Sequence, residues 1–354
     1  MGETMTALRY LERGKLALQE IPVPVCGEDD ILVEVRAAGI CGADLHWENG
    51  AFNADHPFVL GHEFCGVICQ LGSRVSGRWK IGDRVVSDNT GYACGQCSAC
   101  LRGDFVHCLH RKTLGSGMDG GFTKYCRIPG DILKLYPSCL MKLPDCVSFE
   151  QGAIMEPAAN AYRAMIQEAQ VRPGDTVVIV GLGPLGLYSL QMAKLAGASS
   201  IICIGMKSDV EKRFPLAHQF GATHLLVADE EDIPARVRQL AGEDGVGIVV
   251  DAAGAPAVMH QAMEYLQHDG KFVRIGNPPG AYGYSLLPLI DKQITVIGHM
   301  GYNGTSWAKV MRLLETKQLD LQSLIGAVLP LSEYKTGYQM MRSQQVAKAV
   351  LLPE

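Results

Sequence analysis

The sequence has no apolar run long enough to cross a membrane, no cluster of basic residues and no low-complexity tract. A membrane span needs about 20 consecutive apolar residues, and nucleic acid or anionic lipid requires lysine and arginine concentrated on one surface. The net charge is only −5, and the basic residues are scattered. We therefore expect neither nucleic acid nor a membrane as a partner. The N-terminus lacks the charged-then-apolar pattern of a secretory signal, so we expect a cytoplasmic protein.

Aromatic residues are few, at 7%, and charged residues make up 19%, against 47% hydrophobic residues. This balance is typical of a chain that is folded throughout. Because 354 residues exceed the usual size of one compact core, the length favours two domains.

Cysteine, by contrast, is abundant, with twelve residues. In a reducing compartment, clustered cysteines bind metal more often than they form disulfides. Within residues 91–110, the spacing C-x2-C-x2-C-x7-C joins Cys94, Cys97, Cys100 and Cys108. Four thiolates at about 2.3 Å suit tetrahedral Zn²⁺ and leave no position for substrate. The common iron-sulfur run continues into Cys-Pro, which is absent here. We predict a structural zinc lobe, with His107 and His110 as solvent-facing neighbours.

The hydrophobic pattern changes near residue 157. Before it, short β-type runs separated by glycine and proline turns predict an antiparallel, barrel-like β domain over residues 1–157. After it, strands and helices alternate, which predicts a doubly wound parallel sheet over residues 158–298 and hence an α/β fold. The tail, 299–354, carries one helix and a terminal strand and is expected to return to the first domain.

The second domain contains most of the predicted elements. The predicted strands are 176–180, 201–204, 223–227, 247–251, 271–275 and 293–298, and the predicted helices are 184–196, a segment ending near 220, 233–241 and 257–268. The proline- and glycine-rich stretch 276–292 has no helical pattern. In the tail we predict a helix at 307–316 and a strand at 347–352.

A glycine-rich motif follows the strand 176–180 and begins the next helix. It reads Gly181-Leu182-Gly183-Pro184-Leu185-Gly186, a GxGxxG sequence. The first glycine turns the chain, the second lets the backbone approach a pyrophosphate, and the third lets the helix pack closely on the strand. Phosphates bind at the helix N-terminus. In its βαβ frame, the motif predicts a dinucleotide site.

The end of the next strand bears on the choice of dinucleotide. NAD-specific sites usually place an acidic residue there, about 20 residues after the motif, to bind the ribose 2′-hydroxyl. This chain has Gly205 and then Lys207, with Lys212 and Arg213 nearby. Since this stretch has no carboxylate that would repel a 2′-phosphate, the pattern favours NADP. The alternative is NAD, and the basic residues would then only form the exposed start of the next helix.

Several further motifs occur in the order and spacing of a known family. The motifs are CGADLH, GHEFCGVI, GDRV, CGQCSAC, GGFTKY, EPAANAYRA and GLGPLG. With them, nearly the whole chain resembles the zinc-dependent medium-chain dehydrogenases, particularly the polyol (sorbitol) and threonine dehydrogenase branch. The resemblance implies a GroES-like catalytic domain, a Rossmann domain, and a cleft that holds the nicotinamide and a catalytic zinc. With the cysteine lobe, this makes two zinc ions per subunit.

The resemblance also implies roles for single residues. Cys41 and His62 would be zinc ligands, and either Glu63 or Glu156 would be the third, the other acting through water. Asp44 would orient His62 and fix its tautomer.

This chain departs from the family at Ala43, where relatives usually carry a hydroxyl that passes the proton outward. The proton would then leave through zinc-bound water and Glu63 or Glu156, with His46 as its outlet, unless His46 only packs near the ribose. Trp47, Phe52 and Met118 fall on segments that line the family's pocket, where they would make it narrower or less polar, or they are packing residues.

The leading functional hypothesis is a zinc- and NAD(P)-dependent dehydrogenase for a secondary alcohol of a polyol, sugar derivative or amino-alcohol, or for its ketone. Zinc would act as a Lewis acid on the hydroxyl, and the nicotinamide would accept hydride. The alternatives are a dehydrogenase for a bulkier, less polar biosynthetic alcohol or ketone, and a non-catalytic nucleotide-binding redox sensor. Relatives assemble as tetramers or dimers through the Rossmann edge strand, here about 293–298, so we expect a homo-oligomer.

Overall fold

The computed structural model describes residues 2–75, 77–276 and 281–354. By contacts between Cα atoms, the chain divides into two compact units. Unit 1 comprises residues 1–156 and 303–354, and unit 2 comprises residues 157–302.

The first half of unit 1 is made mainly of short strands. In chain order the elements are β1 (Thr4–Glu12), β2 (Lys15–Pro22), β3 (Ile31–Gly39), α1 (Gly42–Glu48), β4 (Phe58–Val59), β5 (Glu63–Leu71), β6 (Arg84–Ser87), β7 (Thr90–Tyr92), α2 (Ser98–Leu101), β8 (Lys112–Leu114), β9 (Gly117–Met118), β10 (Tyr125–Ile128), α3 (Gly130–Leu135), β11 (Leu140–Lys142) and α4 (Phe149–Ala153). A further helix, α5 (Met155–Tyr162), spans the boundary between the units.

Unit 2 alternates strand and helix. Its elements are β12 (Thr176–Val180), α6 (Pro184–Leu195), β13 (Ser200–Gly205), α7 (Arg213–Phe220), β14 (His224–Val227), α8 (Ile233–Ala241), β15 (Val246–Asp251), α9 (Pro256–Tyr265), β16 (Leu266–Arg274), α10 (Leu287–Asp291) and β17 (Thr295–Gly298). The chain then returns to unit 1 with α11 (Gly304–Glu315), β18 (Ile325–Pro330), α12 (Tyr334–Arg342) and β19 (Lys348–Leu352).

The main sheet of unit 1 has the strand order β11-β6-β5-β3-β19-β18, and β10 also pairs with β3. Its central pairs, β3 with β5 and β3 with β19, are antiparallel, and the β18–β19 pair is parallel. The last strand of the chain therefore lies beside β3. Because Gly39 of β3 is opposite both Glu63 of β5 and Val350 of β19, residues from three distant parts of the sequence meet at this end of the sheet.

The sheet of unit 2 has the order β14-β13-β12-β15-β16-β17, and all its neighbouring strands run parallel. This confirms the predicted doubly wound sheet. Successive residues of a strand point to opposite faces, and Val177 and Val178 of β12, like Val249 and Val250 of β15, are all fully buried, as expected when helices cover both faces.

Two details of unit 2 differ from the sequence prediction. Residues 266–268 were expected in a helix, but α9 ends at Tyr265 and Leu266 pairs with Val246 of β15. The helical hydrophobic pattern continues past Tyr265, but the pairing with β15 overrides it. Within the stretch expected to have no helix, the structure places the short helix α10; residues 277–280 of that stretch lie outside the described part of the chain. In the described residues, no helix is both long enough and apolar enough to cross a bilayer.

Candidate metal centres and nucleotide site

One cluster of potential metal ligands lies in unit 1, at the edge of the main sheet where β3 ends. Cys41 connects β3 to α1, and His62 and Glu63 lie at the start of β5. One ligand atom from each of Cys41, His62 and Glu63 lies within 4.8 Å of the other two. The structure thus brings together a sulfur, a nitrogen and an oxygen donor from segments about twenty residues apart.

Asp44 lies behind this cluster and is fully buried. Its Oδ2 accepts the backbone N–H of Cys41 at 2.8 Å, which caps α1, and its Oδ1 is 3.8 Å from Nδ1 of His62. Within the described residues, Oδ1 of Asp44 and Nδ1 of His62 form no hydrogen bond. Burial raises the pKa of Asp44 to about 6, although His62 opposes the rise. The Asp44 carboxylate faces Nδ1 of His62. Outer partners of metal-binding histidines occupy this position, where they set the orientation of the imidazole ring.

The electrostatics of the cluster favour a cation. Burial alone would lower the pKa of His62, yet the negative charges of Cys41, Asp44 and Glu63 raise it to about 10. Burial is also the main reason that the pKa of the Cys41 thiol is raised. The sulfur, nitrogen and oxygen donors of Cys41, His62 and Glu63 match the ligand types that zinc takes in proteins. The residues present therefore fit the expected group.

Glu63 has a partner that sequence reasoning missed. Nζ of Lys348, at the start of β19, donates to Oε1 and Oε2 of Glu63 at 2.8 and 2.6 Å and to the carbonyl oxygen of Ile40 at 2.8 Å. Gly39 makes room, because a Cβ there would lie 2.6 Å from Oε2 of Glu63. The available signal was a single lysine in the apolar run Val346-Ala347-Lys348-Ala349-Val350.

Two other predicted residues lie outside the three-ligand cluster. Glu156 is the second residue of α5 and is partly exposed. It is near enough that its charge contributes, after burial, Glu63 and Cys41, to the shifted pKa of Lys348. His46 lies in the last turn of α1 with its ring 5.2 Å from that of Phe52.

A second metal-ligand cluster consists of Cys94, Cys97, Cys100 and Cys108, whose sulfurs all lie within 4.8 Å of one another. The Cys94–Cys100 and Cys97–Cys100 sulfur distances are 4.0 and 3.6 Å. A tetrahedron with zinc–sulfur bonds of about 2.3 Å requires sulfurs about 3.8 Å apart. All four are free thiols, so this arrangement also fits zinc.

Backbone groups support the sulfurs of this lobe. The N–H groups of Cys94 and His110 point to the Cys108 sulfur at 3.2 and 3.4 Å, and backbone hydrogen bonds lower the pKa of Cys97 to about 6. His107 instead pairs with Asp104, at 2.8 Å from Nδ1 to Oδ2. Burial, in contrast, raises the pKa of Cys100 to about 12, so the local protein groups favour ionisation of Cys97 but not of Cys100.

The glycine motif of unit 2 has three different environments. Gly181 has φ = +90°, and a Cβ on Gly186 would lie 1.9 Å from the carbonyl oxygen of Gly181. A Cβ on Gly183, in contrast, would meet nothing within 4 Å. Gly183 is the N-cap of α6, with Pro184 at the first helical position and Leu185 next. Gly181 thus turns the chain, Gly183 leaves space for a ligand to approach the backbone, and Gly186 allows close packing. A dinucleotide site requires these three features in this order.

At the end of β13, the space beside Gly205 is already filled. A Cβ there would lie 2.7 Å from the Phe214 ring and 2.9 Å from Oδ2 of Asp209. Arg213 is buried, and its Nη1 is 3.0 Å from Oδ1 of Asp209. Lys207 is exposed, with Nζ 2.5 Å from Oε1 of Glu230. Lys207 therefore has an accessible charge, and the charge of Arg213 is held inside unit 2.

Of the aromatic residues considered for the pocket, Trp47 packs inside unit 1. It is only 6% exposed and contacts the rings of Tyr10, Phe52 and Phe58 at centroid distances of 5.0–5.4 Å. Met118 packs against the same core, and Phe52 is 37% exposed. Trp47 therefore acts as a packing residue.

Comparison with known proteins gives two family matches. Residues 27–138 match the alcohol dehydrogenase GroES-like domain, and residues 184–316 match the zinc-binding dehydrogenase family. The first contains the candidate ligands Cys41, His62 and Glu63 and all four lobe cysteines.

Similar proteins extend over almost the whole chain. A zinc-type alcohol dehydrogenase-like protein of Escherichia coli is 38% identical, over 96% of this chain and 95% of that protein. A sorbitol dehydrogenase of Halalkalibacterium halodurans is 33% identical, over 96% of each chain. A structure assigned to a zinc-binding dehydrogenase of Sinorhizobium meliloti, bound to NADP, has a TM-score of 0.87 and 27% identity, covering 99% of this chain and all of that one.

Proposed function

Because this chain belongs to the zinc-binding dehydrogenase family, we propose that it oxidises a secondary hydroxyl of a polyol, sugar derivative or amino-alcohol, and reduces the matching ketone. The family membership confirms the resemblance drawn from the sequence motifs. The protein is an NAD(P)-dependent oxidoreductase of the alcohol and polyol dehydrogenase type. The observation that carries the proposal is the meeting of Cys41, His62 and Glu63 within 4.8 Å, with Asp44 behind His62.

In this proposal, Cys41 and His62 hold a catalytic zinc, with Glu63 or Glu156 as the third ligand. Zinc supplies the positive charge that lets a hydroxyl ionise near neutral pH, and a bound nicotinamide supplies the hydride acceptor. Asp44 keeps the His62 ring in the orientation that presents its other nitrogen to the metal.

Proton release needs residues of this chain other than Ala43, whose methyl group carries no proton. The proposed route runs through Glu63 or Glu156, and His46 passes the proton outward. The proposal assigns metal binding and proton transfer to residues 1–157 and 299–354.

The four-cysteine lobe would hold a second, structural zinc through Cys94, Cys97, Cys100 and Cys108. Four thiolates fill all four coordination positions of the zinc. The metal would therefore stabilise the loop that carries the cysteines and take no part in the reaction.

Residues 158–298 would bind the nicotinamide cofactor. Gly181, Gly183, Pro184, Leu185 and Gly186 form the pyrophosphate turn. We propose that NADP is preferred, because the end of β13 has Gly205 instead of a carboxylate and Lys207 exposes its charge beside it. Arg213 would act indirectly, by pairing with Asp209 and removing that carboxylate from the ribose.

The proposed assembly is a homo-oligomer, a dimer or tetramer, joined through β17, the last strand of the unit 2 sheet. Val296 on this strand and Ile290 on α10 are exposed apolar side chains. The proposed location is the cytoplasm, since every one of the twelve cysteines is a free thiol and a reducing compartment keeps thiols free.

The two alternative functions have less support. A bulkier, less polar substrate was favoured partly by Trp47, which packs in the core of unit 1. A non-catalytic redox sensor would tolerate loss of the metal ligands, whereas this chain has a complete donor set.

The first experiment measures zinc per chain by elemental analysis and the affinities for NADPH and NADH by fluorescence titration. We expect two zinc ions, of which one is lost in Cys41→Ala/His62→Ala and the other in Cys97→Ser, whereas the matched variant Cys146→Ser, at an exposed thiol, keeps both. Oxidation of polyols with the preferred nucleotide should disappear with the first zinc. One zinc per chain that survives Cys41→Ala/His62→Ala would contradict the proposal.

A further inference from the structure

Asp251 and Arg274 of unit 2 form an ion pair that has no part in the proposed reaction. Asp251 is the last residue of β15 and is fully buried, and Arg274 is the last residue of β16, with its side chain 30% exposed. Nη1 of Arg274 lies 3.1 Å from Oδ2 of Asp251. Burial raises the pKa of Asp251, and the N–H of Gly254 and the charge of Arg274 oppose that rise. Arg274 therefore stabilises the ionised form of a carboxylate that solvent does not reach.

Both side chains also hold the short turn at residues 252–254. Oδ1 of Asp251 accepts the backbone N–H of Gly254 at 2.5 Å, and Nη2 of Arg274 donates to the carbonyl oxygen of Gly254. Gly254 has φ = +78°, a left-handed conformation that glycine adopts readily. Because the acid binds the N–H of Gly254 and the base binds its carbonyl, the ion pair fixes the path of this turn.

The turn at 252–254 packs directly against the glycine motif. The N–H groups of Ala252 and Ala253 donate to the carbonyl oxygen of Val180 at 2.9 and 3.1 Å, and Val180 is the residue before Gly181. A Cβ on Gly181 would lie 2.8 Å from the backbone nitrogen of Ala253. The turn therefore borders the motif on the side of β15.

The order of the strands places the ion pair beside one half of the nucleotide site. From β12 the chain adds β13 and β14 on one side, and it then adds β15, β16 and β17 on the other. Dinucleotides bind at the carboxyl ends of the strands, across the point where this order reverses. The proposed 2′-phosphate contact, Lys207, follows β13. The nicotinamide half therefore extends toward the ends of β15 and β16, which carry Asp251 and Arg274.

The sheet itself does not need a charged pair at this place. One position earlier, Val250 of β15 and Val273 of β16 are paired and fully buried without any charge. Replacing a buried ion pair by apolar residues of similar volume often leaves a protein equally or more stable. What distinguishes positions 251 and 274 is that they end their strands at the edge of the sheet where the nucleotide is expected.

We propose that Arg274 is a positioning residue for the nicotinamide half of the cofactor. Together with Asp251 it fixes the turn at 252–254, and this turn sets the backbone beside Gly181 on which that half binds. The inference rests on the proposed nucleotide site. The adenosine half, which binds on the side of β13, does not depend on the turn. Loss of the ion pair should therefore weaken binding of the whole dinucleotide and leave binding of its adenosine half unchanged.

The test measures two affinities of the full-length protein by isothermal titration calorimetry. The ligands are NADPH and adenosine 2′,5′-bisphosphate, which has the adenosine and the 2′-phosphate but no nicotinamide; if the wild type prefers NADH, the ligands are NADH and AMP. The variants are Arg274→Met and Asp251→Asn, which loses the charge but keeps an oxygen for the N–H of Gly254. Arg274→Lys is the conservative variant. Arg238→Met is the matched control, because it removes an exposed arginine of unit 2 that pairs with Glu264.

In Arg274→Met, we expect the affinity for the dinucleotide to fall on the order of tenfold, which is the typical effect of losing one hydrogen bond to a charged group. The affinity for the adenosine ligand should stay at the wild-type value. Asp251→Asn should show the same selective loss, and Arg274→Lys should recover part of the affinity. Arg238→Met should bind both ligands like the wild type. If Arg274→Met does not fold, the same comparison in Asp251→Asn decides.

Two results would overturn the role of Arg274. Wild-type affinity for the dinucleotide in folded Arg274→Met would show that the ion pair does not position the cofactor. An equal loss of affinity for both ligands would show that the pair only stabilises unit 2 as a whole. Failure of the proposed function looks different, since the wild type would then bind neither NADPH nor NADH.

Discussion

At the scale of single residues, Asp44 serves two purposes at once. Its Oδ2 caps α1 by accepting the Cys41 N–H, and its Oδ1 faces His62. The sequence predicts for Asp44 only the role beside His62, and the structure adds the helix cap. The link to His62 depends on β5 lying beside β3, so one side chain joins the start of α1 to the candidate metal ligand.

The ribose end of the nucleotide site supplies the first prediction, which concerns Lys207. In Lys207→Ala, affinity for NADPH should fall while affinity for NADH stays the same, because only NADP carries a 2′-phosphate for the ammonium to bind. Glu230→Gln should raise NADPH affinity a few-fold, since exposed ion pairs are weak competitors. Fluorescence titration of both nucleotides measures this.

The matched control is Glu243→Gln, which removes an exposed carboxylate from the loop before β15 and should change neither affinity. Equal loss of NADPH and NADH binding in Lys207→Ala would point to a general disturbance of the loop. Unaltered NADPH binding would remove Lys207 from the site.

At the scale of elements, the turn from β12 to α6 is determined by local sequence. The strand prediction 176–180 is confirmed, and the helix begins at the predicted Pro184. Such elements can be predicted from the sequence, because the hydrophobic periodicity and the glycine spacing that specify them extend over only a few residues.

The second prediction compares two glycines of this turn. Gly186→Ala should destabilise unit 2, because the added Cβ would lie 1.9 Å from the Gly181 carbonyl oxygen, and thermal unfolding should show a lower midpoint even without nucleotide. Gly183→Ala should unfold like the wild type, since its Cβ meets nothing within 4 Å, but should bind both nucleotides more weakly.

Unfolding scans and titration together separate the two effects. Gly183→Ala with full nucleotide affinity would mean that the pyrophosphate does not approach Gly183. Wild-type stability of Gly186→Ala would mean that α6 can move away from β12 without cost.

At the scale of the whole molecule, each unit has its own buried apolar core, and β14 and β17 are the two edge strands of the unit 2 sheet. In the described residues, β17 pairs with β16 alone. Ile290 is 75% and Val296 is 45% exposed near this edge. Unpaired strand edges with apolar side chains are unusual in proteins that stay monomeric.

The third prediction follows from this edge. If the proposed oligomer forms through this edge, Ile290→Asp/Val296→Asp should give smaller species, because buried carboxylates at an interface are costly. Light scattering coupled to gel filtration measures the mass. Val25→Asp, at an exposed valine of unit 1, is the control and should leave the mass unchanged. A wild type that is already monomeric would contradict the prediction.

The sequence by itself determined what depends on short spacing. The cysteine spacing identified the four lobe thiols, the GxGxxG motif identified the turn before α6, and alternating periods identified the parallel sheet. Helix 233–241 matches the observed α8. Cys41, His62 and Glu63 were found only through the resemblance of whole motifs to a family, because no local rule connects β3 with β5.

The contacts made by packing became known from the folded structure. Packing placed Lys348 on Glu63 and Trp47 among aromatic rings, and it buried the local pair of Asp209 and Arg213, which are four residues apart. It also turned residues 266–268 from helix to strand, because Leu266 pairs with Val246. These outcomes depend on which surfaces are buried together, and the pattern of residues along the chain does not specify which surfaces those are.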